Sequence, residues 1–123
     1  MTSIRTVFLA GPLMLCMAFA APATAQDGDY GEAPLGYDDC GFRDYENGGW
    51  TDDPPAGVFL RAYARDMTCQ SARRAVSRVK FSRSGKPSRA GYRCQFLANQ
   101  HEYYDIRCRK IGGKATFRYQ TGA

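Results

Sequence analysis

The chain has a single histidine and a single tryptophan among its 123 residues. It also lacks a Gly-x-Ser-x-Gly step, so a Ser-His-Asp hydrolase has no supporting motif. None of the five cysteines stand close together: the nearest two are Cys94 and Cys108, which removes the Cys-x-x-Cys steps that zinc sites favour. No self-similarity appears at solenoid or propeller periods. Acidic groups are scarce beyond residue 53, where only Asp66, Glu102 and Asp105 stand against fifteen lysines and arginines.

The one long apolar run is N-terminal. Arg5 precedes Val7 to Phe19, and Ala23-Thr24-Ala25 supplies the small residues a signal peptidase needs. Residues 1–25 therefore read as a signal peptide cleaved before Gln26, and the mature protein is expected to be secreted or at the cell-envelope exterior. A membrane anchor is the rival, but the run is short and carries Gly11-Pro12. Lipidation at Cys16 is a second rival, and Leu15 is too large for the residue before a lipidated cysteine. Removing the segment leaves Cys40, Cys69, Cys94 and Cys108, which in a short exported chain read as two disulfides with three possible connectivities.

Residues 26–57 are rich in Gly, Asp and Pro and show neither helical nor alternating period. They read as an acidic, irregular arm. Tyr30, Tyr37, Phe42, Tyr45 and Trp50 make it more aromatic than a plain linker, and Cys40 pins its middle to the body. Residues 58–123 read as the disulfide-stapled domain. Val58 to Arg65 alternates as a strand. Thr68 caps a helix running to about Lys80, with Cys69, Ala72, Val76 and Val79 on one face. Ser82 to Ala90 is a loop broken by Gly85 and Pro87.

Two Arg-Cys segments follow, Gly91 to Phe96 and Tyr104 to Arg109, each with cysteine and apolar groups on one parity. Asn99-Gln100-His101-Glu102 separates them. One register sets Cys94 directly against Cys108; another sets it against Ile106. Gly112-Gly113 makes a two-residue turn into Lys114 to Gln120, which places Cys108 opposite Phe117 and Arg107 opposite Arg118. The expected disulfides join Cys69 to one strand cysteine and Cys40 to the other. The expected fold class is α+β: one helix packed on a small antiparallel sheet of about four strands, in the order β-α-β-β-β. A body this small has a marginal core, and two disulfides at about 2–4 kcal/mol each account for the cysteines without catalysis.

The outward parity gathers Arg61 and Arg65 from the first strand, Arg93 from the second, Arg107 and Arg109 from the third, and Lys114 and Arg118 from the last. Opposed arginines repel, so Arg107 and Arg118 call for an anion between them. Lys80, Arg83, Lys86 and Arg89 recur every third residue through a flexible loop, a pattern able to track a phosphate backbone. The partner class is an anionic polymer such as nucleic acid or a cell-wall polymer, an acidic lipid, or an extracellular protein. The plainer reading is a solvated face whose cations keep strands from pairing edge to edge. The acidic arm either screens this face or hangs free.

His101 and Glu102, with arginines, are the parts a small ribonuclease would use for acid–base chemistry, although adjacent residues on an extended loop tend to point apart. Asp44 to Gly49 partly echoes a calcium loop, but Pro55 stands at the closing position. No metal or other cofactor is expected.

Met67-Thr68-Cys69-Gln70-Ser71-Ala72-Arg73-Arg74, then Gly91-Tyr92-Arg93-Cys94, Ile106-Arg107-Cys108 and Gly112-Gly113-Lys114 with Phe117, resemble a group of small exported bacterial domains with a Cys-x-x-Ala-Arg helix and cysteine-bearing strands. The resemblance covers roughly the last 65 residues and implies no assigned activity and no catalytic residue. Cys40 and the acidic arm lie outside it. The favoured reading is a secreted, non-catalytic binding module. The alternative is a small secreted hydrolase such as a ribonuclease using His101 and Glu102, and an inhibitor of extracellular enzymes is a distant third.

Overall fold

Strict alternation of side chains builds most of this molecule. A computed structural model describes Gly11 and residues 30–122; the expected cleavage point and the rest of the signal segment lie outside the described residues. The elements are β1 (Asp38–Arg43), β2 (Trp50–Thr51), β3 (Phe59–Arg65), α1 (Cys69–Val76), β4 (Lys80–Phe81), β5 (Pro87–Ser88), β6 (Tyr92–Gln100), β7 (Tyr103–Lys110) and β8 (Thr116–Gly122). Six of the strands form one antiparallel sheet in the order β2-β1-β3-β8-β7-β6, and β4 with β5 makes a separate two-stranded ribbon.

One parity of the sheet is the core. Ala62 and Ala64 from β3, Ile106 and Cys108 from β7, and Phe117 and Tyr119 from β8 all face inward and are buried, joined by Ala72, Ala75 and Val76 from α1. The helix packs on β3, β8 and β1. Its start follows from Thr68, whose hydroxyl oxygen accepts a hydrogen bond from the Ser71 N–H at 3.1 Å.

The expected four-stranded α+β body in the order β-α-β-β-β is corrected: the protein is mostly β, with a six-stranded sheet and one short helix. Two of the added strands, β1 and β2, come from the segment read as an irregular arm. The β1 sequence hides its nature because the pairing with β3 slips between Asp39 and Phe42, and such a bulge destroys the alternation that marks a strand. Gly41 makes it possible. Its φ is +82°, and a Cβ there would lie 2.6 Å from the Thr51 carbonyl oxygen.

The helix ends at Val76, short of the expected Lys80. Ser77 turns its hydroxyl back to the Arg73 carbonyl at 2.9 Å. Arg78 and Val79 then donate to Ala75 and Val76 at the tighter three-residue spacing. Lys80 and Phe81 start the ribbon. The β7–β8 connection is also longer than two residues: Ile111 to Lys114 form the loop, closed by a 2.8 Å bond from the Lys110 N–H to the Ala115 carbonyl. Both turns share a midpoint, so the expected pairs Cys108–Phe117 and Arg107–Arg118 hold.

The disulfides are Cys40–Cys69 and Cys94–Cys108. The β6–β7 register is the one that opposes Cys94 to Cys108. The expected link from Cys69 to a cysteine of the Arg-Cys strands is overturned: α1 lies toward the β1 end of the sheet, where Cys40 turns inward at the bulge. Arg73 reinforces the same junction, donating from Nε to the Cys40 carbonyl at 2.7 Å with its guanidinium 5.6 Å from the centre of the Trp50 ring.

Gly41→Ala is expected to cost on the order of 2 kcal/mol, from left-handed strain with the Thr51 clash added. Thermal melting measures the loss, and hydrogen exchange should show it concentrated in β1 and β2.

Candidate functional site

The outer parity of the sheet holds the arginines, and pairing sets them in rows. One row runs Arg93–Arg109–Thr116–Arg65 across β6, β7, β8 and β3; the next runs Gln95–Arg107–Arg118–Tyr63 and reaches Asp39 on β1. The structure divides these charges into two groups.

On the β1 side they are neutralised within the fold. Arg61 is buried and donates to the Asp39 carboxylate at 2.7 Å and to the Tyr30 and Gly31 carbonyls, each at 2.9 Å. Burial would raise the Asp39 carboxyl; the Arg61 hydrogen bond, the Gly41 N–H and the charges of Arg61 and Arg73 outweigh it and hold the pKa below its ordinary value. Arg118 donates from Nε and Nη2 to the two oxygens of Asp105 at 2.8 and 2.6 Å, a fork-on-carboxylate pair. That pair keeps the Arg118 pKa above its ordinary value against the opposing effect of burial. Gln120 extends the network, donating to Asp105 at 3.2 Å and accepting from the Tyr63 hydroxyl at 2.9 Å. Burial pushes the Tyr63 hydroxyl up to about 12, with Arg61 opposing.

Residues 30–37 lie over this half of the outer face. The Tyr30 ring sits 5.0 Å from Phe42 and 4.8 Å from Phe59. Tyr37 stacks 4.8 Å from the Arg65 guanidinium and 5.9 Å from that of Arg118. The arm therefore does fold onto the arginine face, through rings and carbonyl oxygens in residues 30–37 and through the Asp39 carboxylate beyond them. Its surplus of aromatic residues was the sequence signal for this.

Toward β6 the charges are open. Arg93, Arg107, Arg109, Lys110 and Lys114, with Arg65 of β3 at the edge covered by Tyr37, line a shallow depression of about 670 Å³ together with Gln95 and the β7–β8 loop, and among the described residues no acidic side chain lines it. Among the described residues, no ion pair engages any of these cations. Arg93 stands directly opposite Arg109, and like charges so placed repel unless a counter-charge comes between them. Arg107 and Arg118 are opposed as expected, yet Asp105 supplies Arg118 with its counter-charge, so that pair needs no external anion. Lys110 was missed because it ends β7 on the inward parity, yet its side chain runs beside Gly113 and lines the groove.

The remaining expected residues fall elsewhere. Lys80, Arg83, Lys86 and Arg89 belong to the β4–β5 ribbon and its flanks rather than a free loop, and Arg89 Nε is buried with no hydrogen-bond partner. His101 and Glu102 form the tip of the β6–β7 hairpin. Their side chains are 95% and 65% exposed, with Nε2 3.7 Å from the carboxylate, so they approach each other in open solvent and away from the groove. Asp44 accepts hydrogen bonds from the N–H groups of Glu46 and Asn47 in its own turn. Among the described residues no cluster of three metal-ligating side chains exists, and no helix is long and apolar enough to cross a membrane. No family model matches this chain, and no curated protein or solved structure matches it.

Because the Asp39 pKa is lowered in the fold, its contribution is complete above the ordinary carboxyl range and is lost as pH falls through the folded value. Asp39→Asn is expected to lower the melting temperature at pH 7 and to shrink the wild type's acid-side loss of stability. Melts recorded from pH 7 down to pH 2 test this, and an acid limb of unchanged depth would contradict it.

Proposed function

We propose that this protein is a non-catalytic binding module for an anionic polymer, and that the groove between β6, β7 and the β7–β8 loop is its contact surface. One observation carries the reading. Among the described residues, Asp39 and Asp105 on the outer face are each committed to a specific arginine, while the cations of the groove stand together with no acid among them. Guanidinium forks suit phosphate, sulfate and carboxylate. A protein whose two disulfides fit an oxidising compartment meets such groups on extracellular and envelope polymers, and we place it there after removal of residues 1–25. The hydrolase alternative draws no support from His101 and Glu102, which approach each other in open solvent at 3.7 Å.

Binding of labelled inorganic polyphosphate, followed by fluorescence anisotropy across a salt series, tests the proposal. The logarithm of affinity is expected to fall with the logarithm of salt with a slope of about −3 to −5, as four to six contacts require. Arg93→Ala, Arg107→Ala and Arg109→Ala should each weaken binding and flatten the slope by about one, whereas Arg83→Ala in the ribbon should change polyphosphate binding little. Binding that ignores salt, or none at low salt, overturns the reading.

A further inference from the structure

The groove accounts for the outer face of β6 and β7 but not for their inner face. There α1 packs on β1, β3 and β8, so the inward residues at the β6 end lie beyond the helix. Phe96 and Tyr104 occupy that strip, in successive rows with Ile106 and Asn99. The ribbon adds Phe81 beside them. The three rings make a continuous line, with Phe81 6.4 Å from Phe96 at an interplanar angle of 27° and Phe96 5.8 Å from Tyr104 at 39°. Only the middle ring is packed against the core; Phe81 is 54% and Tyr104 39% exposed. The ribbon bearing Phe81 also carries Lys80, Arg83 and Lys86, and none of these has an ion-pair partner among the described residues.

Cations therefore lie on both sides of the β6 edge of the sheet, and on the inner side they flank a line of aromatic rings whose two ends, Phe81 and Tyr104, are exposed. A ligand that uses all of this has regularly spaced negative charge and flat π-faced groups along one flexible strand. Polyphosphate has the charge without the rings, and an apolar peptide, even one with aromatic side chains, lacks the charge. Duplex nucleic acid has both, but its bases are stacked on one another and unavailable. We infer that the anionic polymer is a single-stranded polynucleotide, its phosphates held by Arg93, Arg107 and Arg109 and its bases laid on Phe81, Phe96 and Tyr104 as it passes round the β6 edge. The inference rests on the anionic-polymer reading above and assigns its chemical class. Stacking of a base on an aromatic side chain tolerates any sequence, so the module would discriminate strandedness rather than base identity.

The test uses the full chain with disulfides intact and three labelled probes at matched salt: an oligo-dT of about twelve nucleotides, within the span of one small single-strand-binding fold; polyphosphate of similar charge; and a heparin fragment. Oligo-dT is expected to bind tightest. Tyr104→Ala and Phe81→Ala should each weaken it about five- to a hundred-fold, the range for loss of one stacking ring, with polyphosphate affinity unchanged. Tyr104→Phe, which keeps the ring, should retain oligo-dT binding, and melting curves confirm that each variant is folded. If oligo-dT and polyphosphate bind alike and neither responds to the ring variants, the polynucleotide assignment is overturned while the anionic groove stands. If heparin binds tightest and depends on Tyr104, the ligand is a glycan and the assignment is again overturned. If no probe binds at low salt, both readings fall.

Discussion

The pairing of β8 between β3 and β7 governs everything else in this molecule. It aligns Phe117 with Ala64 and Cys108, and Arg118 with Tyr63 and Arg107, so one strand fixes which side chains of three strands enter the core and which meet solvent. A slip by a single residue would turn Phe117 and Tyr119 outward and draw arginine into the core. The small residues opposite, Ala62 and Ala64, leave the space in which α1 seats Ala72, Ala75 and Val76. Packing thus enforces the register, and the register places the charge.

Charge on the outer face is then sorted by the few acids available. Asp105 and Gln120 form one cross-strand pair, and Arg118 stands diagonal to it, within reach of both carboxylate oxygens. Asp39 serves Arg61 in the same way from β1. These contacts, roofed by Tyr30 and Tyr37, turn half of an arginine face into a packed layer. Among the described residues the cations toward β6 receive no such partner, and this contrast within one sheet is the reason to regard their exposure as useful.

Much of this was legible in the sequence, and the rest was hidden for definite reasons. The alternation of β3, β7 and β8 is clean, and the symmetry of the connection about Gly112-Gly113 fixed Arg107 against Arg118 even though the loop is longer than expected. Once that register is written down, the diagonal from Asp105 to Arg118 follows from it; counting charges by parity, without tracing diagonals, missed the neutralisation. β1 could not be read because Cys40 and Gly41 sit in a bulge and because Asp38 and Asp39 are poor strand formers. The cysteine pairing depended on β1, so it was lost with it. The ribbon of β4 and β5 has two residues in each strand, too short to carry a period. The line of rings joins residues far apart in sequence, and only the folded chain brings Phe81 to Phe96.

The strand order has a consequence for how the protein is assembled. Within the large sheet, β1, β2 and β3 form one group and β6 and β7 another, and the two meet only through β8, the last strand in chain order. Until β8 arrives, each half keeps an open edge, and the inner faces of Ile106 and Ala62 have nothing between them. Closure therefore rests on the β3–β8 pairing, whose contacts are distant in sequence, the kind of contact that slows folding as a class. Either half without β8 would present an unpaired strand edge, the feature through which sheets pair with neighbouring chains.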